Sequence, residues 1–534
     1  MSRDRQHEEV PRSEGDLRIY WDETDGRIAE AWCQGTMYRG YEMILIGRHP
    51  DDALATTARL CGICSTSHVV AATHALEDAW NITPPPQAVR LRNLFLAAES
   101  VMSDARQGAL FFGPGLCDQS FSRHPLYPEI MDAFQPPFAG WLTRQVRDFS
   151  KRILGVITAF TRQWPHSVPF RPGGATCPVG ADEIRRARAA VEDYAAWYAP
   201  TVLGGTLDQW AEVATAGQLE AWLEQHPHSV IALFSRFATA AAGLHHVGHG
   251  SQNLLSGGLY RDPDLPTRPL IGGGVLLDGH RHELDHALVR EHTRFSWFSD
   301  VGPQHPWQTV VKPDRSRAES YSWATAPRYG DDDQVMQLGP LPDLLIAGDP
   351  LAADLVAVHG TSAFVRQLVR WTRAAANLRL MRQWLDELES CLGQPVLQPP
   401  RPADIDDDAQ GFGHANATRG TLMHWVKLSQ GKIATYQVIT PTTWNASPRD
   451  SHAVPGHFEQ SLVGLPADEA GRGIRALVLG SHDPCLVCTT QYSCLPDRPG
   501  EQAGATQRAT AKRASQGLNP KHALTWWAQL GSNQ

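Results

Sequence analysis

Hydrophobic and polar residues alternate along the first part of the chain and then take up a helical spacing. Within residues 1–60, the stretch DLRIYWDETDGRIAEAW predicts strands joined by a hairpin at Thr24-Asp25-Gly26. From Ser67 onward, apolar residues recur on one helical face. A break at PPPQ follows, and further helices are predicted over residues 88–102, 140–163, 181–198 and 216–245.

The longest predicted helix spans residues 362–392, where an apolar stripe and scattered arginines are typical of a bundle helix with one solvated face. Residues 169–178 predict a loop, and LMHWVKLSQGKIATYQVIT predicts a hairpin that turns at Gln-Gly. We therefore expect an α+β, helix-dominated fold. It would be a single large domain over residues 1–491, with a central bundle of long helices and peripheral β-hairpins. Residues 492–534 have little core potential and predict a C-terminal extension, either flexible or removed as a propeptide.

Composition excludes several classes of protein. With 42% hydrophobic and 20% charged residues among 534, the chain is an ordinary globular sequence that can bury a large core. A net charge of −9 argues against nucleic-acid binding. We find no apolar run long enough for a spanning helix and no signal-peptide core at the N-terminus. These features predict a cytoplasmic protein, whose association with a membrane would depend on partners.

Two Cys-x-x-Cys pairs carry the candidate chemistry. Cys61 and Cys64 lie in RLCGICSTSH, and Cys485 and Cys488 lie in SHDPCLVCTTQ, about 420 residues further on. Four thiolates favour a soft metal, and the first pair precedes a helix start, where backbone N–H groups favour the thiolate. A structural zinc site is an alternative, although its pairs usually lie about 15–20 residues apart. Pairs from opposite ends of the chain indicate instead a site in the interior.

The surrounding residues extend this pattern along the chain. RLCGICSTSH and DPCLVC resemble the paired signatures of the large, catalytic subunit of nickel–iron (NiFe) hydrogenases. RSEGDLRI, RGYEMILIGRHPDDA, NLLSGG, YSWATAPRYG, LGPL, TRGTLMHW and ITPTTWNASPRD resemble further stretches of that family, in the same order. The resemblance covers nearly all of the chain up to residue 491 and is strongest to the group 2 uptake and sensor branch. It implies the NiFe hydrogenase large-subunit fold and a catalytic subunit that splits dihydrogen into protons and electrons.

The resemblance also implies the ligands of the metal centre. Cys61 and Cys485 would be terminal nickel ligands, and Cys64 and Cys488 would bridge nickel to an iron. The iron of this family carries CO and cyanide, which accessory proteins make.

Four further residues match positions around that centre in the family. His68 would donate a hydrogen bond to a bridging sulfur, and Arg419 would hold its guanidinium over the open metal position. The plain alternatives are a buried core histidine and a surface arginine. Asp104 would be the carboxylate near that arginine. Glu14 would take the proton from a terminal cysteine sulfur, since burial can raise the pKa of a carboxyl toward the working pH.

A second metal is implied, but the chain departs from the family there. Glu42 and Gln491 would hold a magnesium-like ion, with Gln491 in place of the usual histidine. Gln337, Thr325 and Thr418 replace a glutamate, a lysine and a proline. Because an amide oxygen can ligate a hard cation, the second metal remains part of the prediction.

Partners follow from how few cysteines the chain has. Nine cysteines cannot hold iron–sulfur clusters beside the metal site, so we expect an Fe–S small subunit in a heterodimer or higher oligomer. Maturation proteins and an acceptor such as a quinone are also implied, and no nucleic acid. Two alternatives stay open: a regulatory subunit that senses dihydrogen, and a non-catalytic maturation scaffold.

One motif points elsewhere. HELDH fits the His-Glu-x-x-His signature of zinc proteases, which requires a helix. Its flanking sequence instead predicts a strand and a turn.

Overall fold

Three antiparallel strands open the chain, as the alternating pattern predicts. The structure is a computed structural model that describes residues 5–135, 138–309 and 312–489. For residues 488 and 489 it describes the backbone alone. The first sheet has the order β1 (Gln6–Glu9), β2 (Leu17–Thr24), β3 (Arg27–Gly35). Asp25 and Gly26 both have positive φ, 52° and 74°, as a tight two-residue hairpin requires. The predicted first hairpin is confirmed.

Helices are the main regular element of the remaining chain, and two of them replace part of the predicted strand region. Residues 41–57 contain α1 and α2. The helices are α1 Tyr41–Leu45, α2 Asp51–Thr57, α3 Ser65–Ala79, α4 Pro86–Arg106, α5 Gly113–Leu116, α6 Tyr127–Phe134, α7 Trp141–Ile153, α8 Gly155–Thr161, α9 Ala181–Tyr198, α10 Leu207–Trp210, α11 Ala216–Gln225, α12 Val230–Ala240, α13 Pro340–Ala347, α14 Pro350–His359, α15 Ala363–Thr372, α16 Ala374–Ser390, α17 Pro441–Asn445, α18 His457–Leu462, α19 Arg472–Ser481 and α20 Leu486–Thr489. Short 3₁₀ or π turns cover Gln107–Phe112, Gln119–Phe121, Ala199–Leu203, Leu244–His246, His286–Leu288, Pro402–Asp404 and Glu469–Gly471.

The remaining strands form small sheets around the helices. They are β4 Phe170–Arg171, β5 Gly174–Ala175, β6 Leu254–Ser256, β7 Leu259–Arg261, β8 Pro269–Ile271, β9 Gly274–Leu277, β10 His280–His282, β11 Val289–His292, β12 Ala326–Tyr329, β13 Gln410–Ala417, β14 Gly420–Ser429 and β15 Lys432–Ile439. The sheets have the orders β4-β5, β10-β9-β6, β7-β8, β11-β12 and β13-β14-β15, and every pairing is antiparallel. The hairpin β14–β15 turns at Gln430-Gly431, as predicted.

Four long helices, α4, α7, α9 and α16, pack on one another and contribute to the main hydrophobic core. This confirms the expected helix-dominated α+β fold with a central bundle and peripheral hairpins. Three predicted helices are interrupted: 140–163 between α7 and α8, 216–245 between α11 and α12, and 362–392 at Arg373. The predicted loop 169–178 contains the short pair β4–β5.

Helix α3 lies directly on strand β13, because two glycines leave room for it. A Cβ on Gly413 would lie 2.2 Å from the backbone N of Ala75, and one on Gly411 would lie 2.0 Å from the Ala75 carbonyl oxygen. A larger residue at either position would therefore force the helix away from the sheet. This contact fixes the start of α3, next to the first cysteine pair, relative to the hairpin that carries Arg419.

Among the described helices, none combines the length and hydrophobicity needed to cross a membrane. The predicted extension over residues 492–534 lies outside the described residues and stays a prediction.

Candidate metal centre

Three distant segments of the chain meet at the cysteine motifs. Cys61 and Cys64 form the turn before α3, and Cys485 follows α19. The N-terminal strap at Glu14 holds this second motif in place: the Glu14 N–H donates to the Pro484 carbonyl (3.3 Å), and the Leu486 N–H donates to the Glu14 carbonyl (2.6 Å). The two ends of the sequence are thus joined by backbone hydrogen bonds at the site.

The sulfurs of opposite ends lie side by side. Cys61 Sγ and Cys485 Sγ are 3.8 Å apart and buried, and Cys64 belongs to the same cluster. A disulfide would bring two sulfurs to about 2.05 Å. Two sulfurs that share a tetrahedral metal at about 2.3 Å lie about 3.8 Å apart. The separation therefore fits two ligands of one soft metal ion.

The backbone at the start of α3 does not serve the sulfurs as the sequence suggested. The N–H groups of Thr66 and Ser67 both donate to the buried carboxylate of Glu99, at 2.8 and 3.1 Å. The Cys64 N–H donates to the sulfur of Cys61, at 3.4 Å. The expected stabilisation of a thiolate by this helix end is thus largely directed to Glu99.

Arg419 is anchored beside the sulfurs by Asp483. Its Nε donates to the Asp483 carbonyl oxygen (3.0 Å) and its Nη2 to the carboxylate (3.1 Å). Burial alone would lower the pKa of Arg419, but Asp483 and then the three cysteines raise it well above its usual value. A permanent, oriented cation therefore faces the cysteine cluster.

Asp104 does not contact Arg419 directly, as the resemblance implied, but through other charged residues. Its carboxylate accepts from Arg373 (2.6 Å) and Arg370 (3.3 Å), and Arg370 also donates to Asp483 (3.3 Å). In the described structure the direct carboxylate partner of Arg419 is Asp483. Asp104 is linked to it through Arg370, so the buried charges alternate in sign along the row.

His68 is the last member of a buried hydrogen-bonded chain. The Tyr436 hydroxyl lies 2.8 Å from His424 Nδ1, and His424 Nε2 lies 3.2 Å from His68 Nδ1. Burial lowers the pKa of His68 to about 4 and that of His424 well below its usual value, so both rings are neutral.

Tyr436 determines which atoms donate and which accept in this series of hydrogen bonds. Its hydroxyl proton has only His424 as a partner among the described residues, so Tyr436 donates to Nδ1 of His424. His424 then donates from Nε2, and His68 carries its own proton on Nε2. That nitrogen is buried without a partner, in a small cavity lined also by Cys64 and Cys485. His68 therefore has a free N–H donor at a cavity that Cys64 and Cys485 also line.

Glu14 lies beside the same cluster with an unusual acidity. Burial, followed by the nearby Cys61, raises the pKa of Glu14 to about 7. Its carboxyl can therefore both accept and release a proton near neutral pH.

A second polar cluster surrounds Glu42 and Glu291. Glu291 Oε1 accepts from Thr325 Oγ1 (2.8 Å) and from Gln437 Nε2 (3.0 Å). One oxygen of each of Glu42, Glu291 and Gln437 is buried without a partner. Burial raises the pKa of Glu42 to about 8 and that of Glu291 to about 7, and their mutual repulsion raises that of Glu42 further. Such oxygen atoms are the ligands that a hard divalent cation prefers.

Comparison with known proteins decides what this arrangement is. The family description "Nickel-dependent hydrogenase" matches residues 39–105 and 145–491, more than half of the chain. The chain belongs to the nickel-dependent hydrogenase family. The periplasmic NiFeSe hydrogenase large subunit of Desulfomicrobium baculatum is 27% identical over 512 residues, covering 90% of this chain and 93% of that one. The uptake hydrogenase large subunit of Bradyrhizobium diazoefficiens is also 27% identical, over 90% and 94%.

The fold agrees with this family. The crystal structure of the reduced, active Ni-Fe-Se hydrogenase from Desulfomicrobium baculatum superposes with a TM-score of 0.77 at 24% identity, over 91% of this chain and 99% of that one. The chain is thus a large, catalytic hydrogenase subunit and an oxidoreductase, with a nickel–iron centre. Its relatives are named large subunits, which implies a smaller partner chain.

The donor set of this hydrogenase suits such a centre. Within the described ranges, no three His, Cys, Asp or Glu side chains by themselves form a complete metal site. The fit rests on the two sulfurs at 3.8 Å, with Cys64 beside them. Sulfur ligands select soft metals, in agreement with the family. Cys488 lies in α20, but its side chain is outside the described part of the structure.

The structure brings six predicted site residues to one place: Glu14, Cys61, Cys64, His68, Arg419 and Cys485. Glu42 lies in the second cluster, next to Glu291. Gln491 falls outside the described residues, so its assignment to the second metal stays a prediction.

Sequence reasoning missed several residues of this hydrogenase. Asp483 lies two residues before Cys485 in the quoted motif, and that position was the available signal. His424 on β14 and Tyr436 on β15 are diagonal neighbours in the sheet, but only the tertiary contact with His68 shows their role. Gln437 on β15 and Glu291 on β11 belong to different sheets and become neighbours only through a tertiary contact.

The HELDH motif does not adopt the helix that a zinc protease site requires. His282 ends strand β10 and His286 begins a short 3₁₀ turn, so the two histidines do not share a helix. This agrees with the strand and turn predicted there.

Removing divalent cations should make the stability of the hydrogenase fall as pH rises. The folded chain retains protons on Glu42 that the unfolded chain loses above about 4.5, so stability is greatest below that pH and is lost as pH passes about 8. Between pH 6 and 8 we expect a loss of at least about 1.4 kcal/mol, which Mg²⁺ reverses. Thermal unfolding in EDTA at both pH values measures it.

Glu42→Gln is the matched control, because it keeps the shape of the side chain and removes its titration. The variant should lose the part of the pH dependence due to Glu42 and the response to Mg²⁺. An equal response to Mg²⁺ in both proteins would contradict a role for Glu42 in cation binding.

Proposed function

We propose that the chain is the catalytic subunit of an uptake hydrogenase. It splits dihydrogen heterolytically and passes the electrons to an iron–sulfur small subunit. The observation that supports this most strongly is the meeting of Cys61 and Cys485, 3.8 Å apart, beside the Arg419–Asp483 pair. A centre built from both ends of the chain, with a fixed cation next to it, suits chemistry on a small nonpolar substrate.

Cys61, Cys64, Cys485 and Cys488 would hold the nickel, and Cys64 and Cys488 would share it with an iron that carries CO and cyanide. When bound, this centre supplies an electron-rich coordination position at which dihydrogen can be polarised. Glu42 and Gln491 would hold a magnesium ion near Glu291. Two buried carboxyl groups with unpaired oxygens support a cation at this second site.

The residues around the sulfurs have separate tasks in this proposal. Arg419 places a fixed positive charge beside the open position and excludes water from it. His68 would donate a hydrogen bond from Nε2 to a sulfur of the metal-loaded centre and so stabilise negative charge there. Glu14, whose pKa is raised to about 7, takes the proton and carries it away from the centre.

Replacing Glu14 with glutamine should slow turnover without removing the metal. General-base catalysis contributes about 10²–10⁴-fold, so we expect a decrease in kcat of that order in Glu14→Gln. In the wild type the rate should rise with pH through about 7, because the carboxyl must be ionised to accept a proton. This limb should be absent in the variant. Dye reduction under dihydrogen across pH 5–9 measures both effects.

Glu9→Gln, an exposed position on β1, is the control and should keep the wild-type profile. A Glu14→Gln enzyme that turns over as fast as the wild type would remove Glu14 from the proton route.

Electrons would leave through the small subunit, since the described residues hold no further cysteine cluster for them. Helix α1 and the residue that follows it support a docking surface near Cys61: Met43, Ile44 and Ile46 expose 46%, 45% and 47% of their surface. Next to them, Arg39 donates to the Leu60 carbonyl, one residue before Cys61. An apolar patch of this kind favours a protein partner. Maturation proteins, a quinone acceptor and a cytoplasmic location with membrane association through the partners complete the proposal.

Rapid dihydrogen-dependent dye reduction by the purified assembly tests this function. Turnover with equal amounts of nickel and iron, and infrared bands of CO and cyanide, would support an enzyme. Slow turnover with an intact centre would favour the sensor. A preparation that contains neither metal after maturation would favour the scaffold.

A further inference from the structure

Arg366 differs from every other buried arginine in the described residues, because it has no carboxylate partner. Seven arginines are buried in this part of the chain. The other six form ion pairs: Arg92–Glu77, Arg328–Asp450, Arg370–Asp104, Arg373–Asp104, Arg419–Asp483 and Arg475–Glu8. A buried charge without a counter-charge is costly, so something else must balance Arg366.

The protein satisfies only part of the Arg366 guanidinium. Nε donates to Ser481 Oγ (3.0 Å), and Nη1 donates to the Thr361 carbonyl oxygen. Nη2 is buried and has no partner. Burial lowers the pKa of Arg366 to about 9, so the side chain still carries its charge at neutral pH.

Two buried histidines next to Arg366 also offer unused hydrogens. His457 Nδ1 accepts from the Ser251 N–H (3.0 Å), so the neutral ring carries its proton on Nε2, which has no partner. Both nitrogens of His482 are buried without a partner, and its ring centre lies 4.7 Å from that of His457. Burial and the charge of Arg366 lower the pKa of both histidines, which keeps them neutral.

The backbone of residues 248–250 closes this site. A Cβ on Gly248 would lie 3.0 Å from Arg366 Nη2, and one on Gly250 would lie 2.6 Å from His457 Nδ1. Both glycines have positive φ, 80° and 63°. Because the chain passes so close to both side chains, an occupant must be small.

We propose that Arg366, His457 and His482 bind a small monovalent inorganic anion of the halide class. The guanidinium supplies the opposite charge, and the guanidinium and each imidazole supply a hydrogen-bond donor. A spherical halide accepts hydrogen bonds from several directions and needs no further space. His482 follows α19 and directly precedes Asp483, the ion-pair partner of Arg419. The anion would therefore neutralise the charge of Arg366 close to the Arg419–Asp483 pair. The site does not depend on nickel or iron.

Bromide substitution tests the site in the wild-type protein. Crystals of the purified assembly grown with bromide in place of chloride should show an anomalous peak at the bromine edge within hydrogen-bond distance of Arg366 Nη2. Density for an ordered water there, with no anomalous signal, would overturn the proposal. This experiment requires no variant to fold.

Arg366→Met gives a second test in solution. Exchanging gluconate for bromide at constant ionic strength should raise the melting temperature of the wild type by at least about 1 °C, and the variant should lose this shift. Arg475→Met, which removes a buried arginine that is paired with Glu8, should keep the shift. A halide response that survives in Arg366→Met would contradict the assignment.

Discussion

Serine in place of Cys485 is expected to remove nickel and hydrogenase activity together. A serine hydroxyl stays protonated near neutral pH and is a harder ligand than a thiolate, so it cannot replace the buried sulfur. Loss of an outer partner of a metal ligand already costs about 10–100-fold in affinity, so loss of the ligand itself should exceed about 100-fold. Metal analysis by mass spectrometry, together with dye reduction on the same sample, measures both quantities.

Cys33→Ser is the matched control for this substitution. Cys33 is as fully buried as Cys485, but it lies on β3, where its N–H donates to Glu459. The control should keep its nickel even if it is less stable. Full nickel occupancy in Cys485→Ser would contradict a ligand role for this cysteine.

Lysine in place of Arg419 is expected to lower kcat by about 10²–10³-fold while nickel stays bound. That range is typical for loss of one fixed electrostatic group at a reacting centre. Lysine keeps the charge but cannot reproduce the two bonds, from Nε to the Asp483 carbonyl and from Nη2 to its carboxylate. The cation would lose its fixed position. Steady-state kinetics and nickel content, measured on one preparation, separate this effect from loss of the metal.

Arg475→Lys controls for the general cost of changing a buried arginine. Arg475 also holds a carboxylate with two nitrogens, that of Glu8 at 2.8 and 3.2 Å. Both variants should melt at lower temperature, and only Arg419→Lys should lose turnover. If the two enzymes had the same kcat, Arg419 would have only a structural role.

Local turn chemistry made part of the fold predictable. Asp25-Gly26 and Gln430-Gly431 both adopt the positive φ values that a two-residue hairpin needs, and both turns were expected. Helix α9 occupies residues 181–198 as the periodicity indicated, and α3 begins at Ser65, two residues before the predicted start. In these segments local preference and tertiary packing favour the same structure.

Helix interruptions were harder to predict, although some signals were present. Pro227 disfavours a helical conformation at His226, and Ser229 caps α12 by accepting from the Ala232 N–H. The break at Arg373 has no such local cause. It lies where Arg373 and Arg370 both donate to Asp104, a contact between helices that the sequence pattern cannot show.

The centre divides in the same way. The cysteines, His68 and Arg419 lie in short sequence motifs that are recognisable without the structure. Glu99 on α4 accepts from the start of α3, and Tyr436 on β15 lies behind His68, so their roles become visible only when α3 packs on α4 and on the sheet. Asp104 shows the limit of an alignment. It belongs to the same network of buried charges as Arg419, but its own hydrogen bonds are to Arg370 and Arg373.

Anomalous diffraction at the nickel edge, on crystals of the fully matured protein, tests most directly whether both ends of the chain bind one nickel. We predict a nickel peak within bonding distance of the sulfurs of Cys61 and Cys485. A peak for zinc alone at that position, or nickel bound elsewhere in the protein, would contradict the assignment.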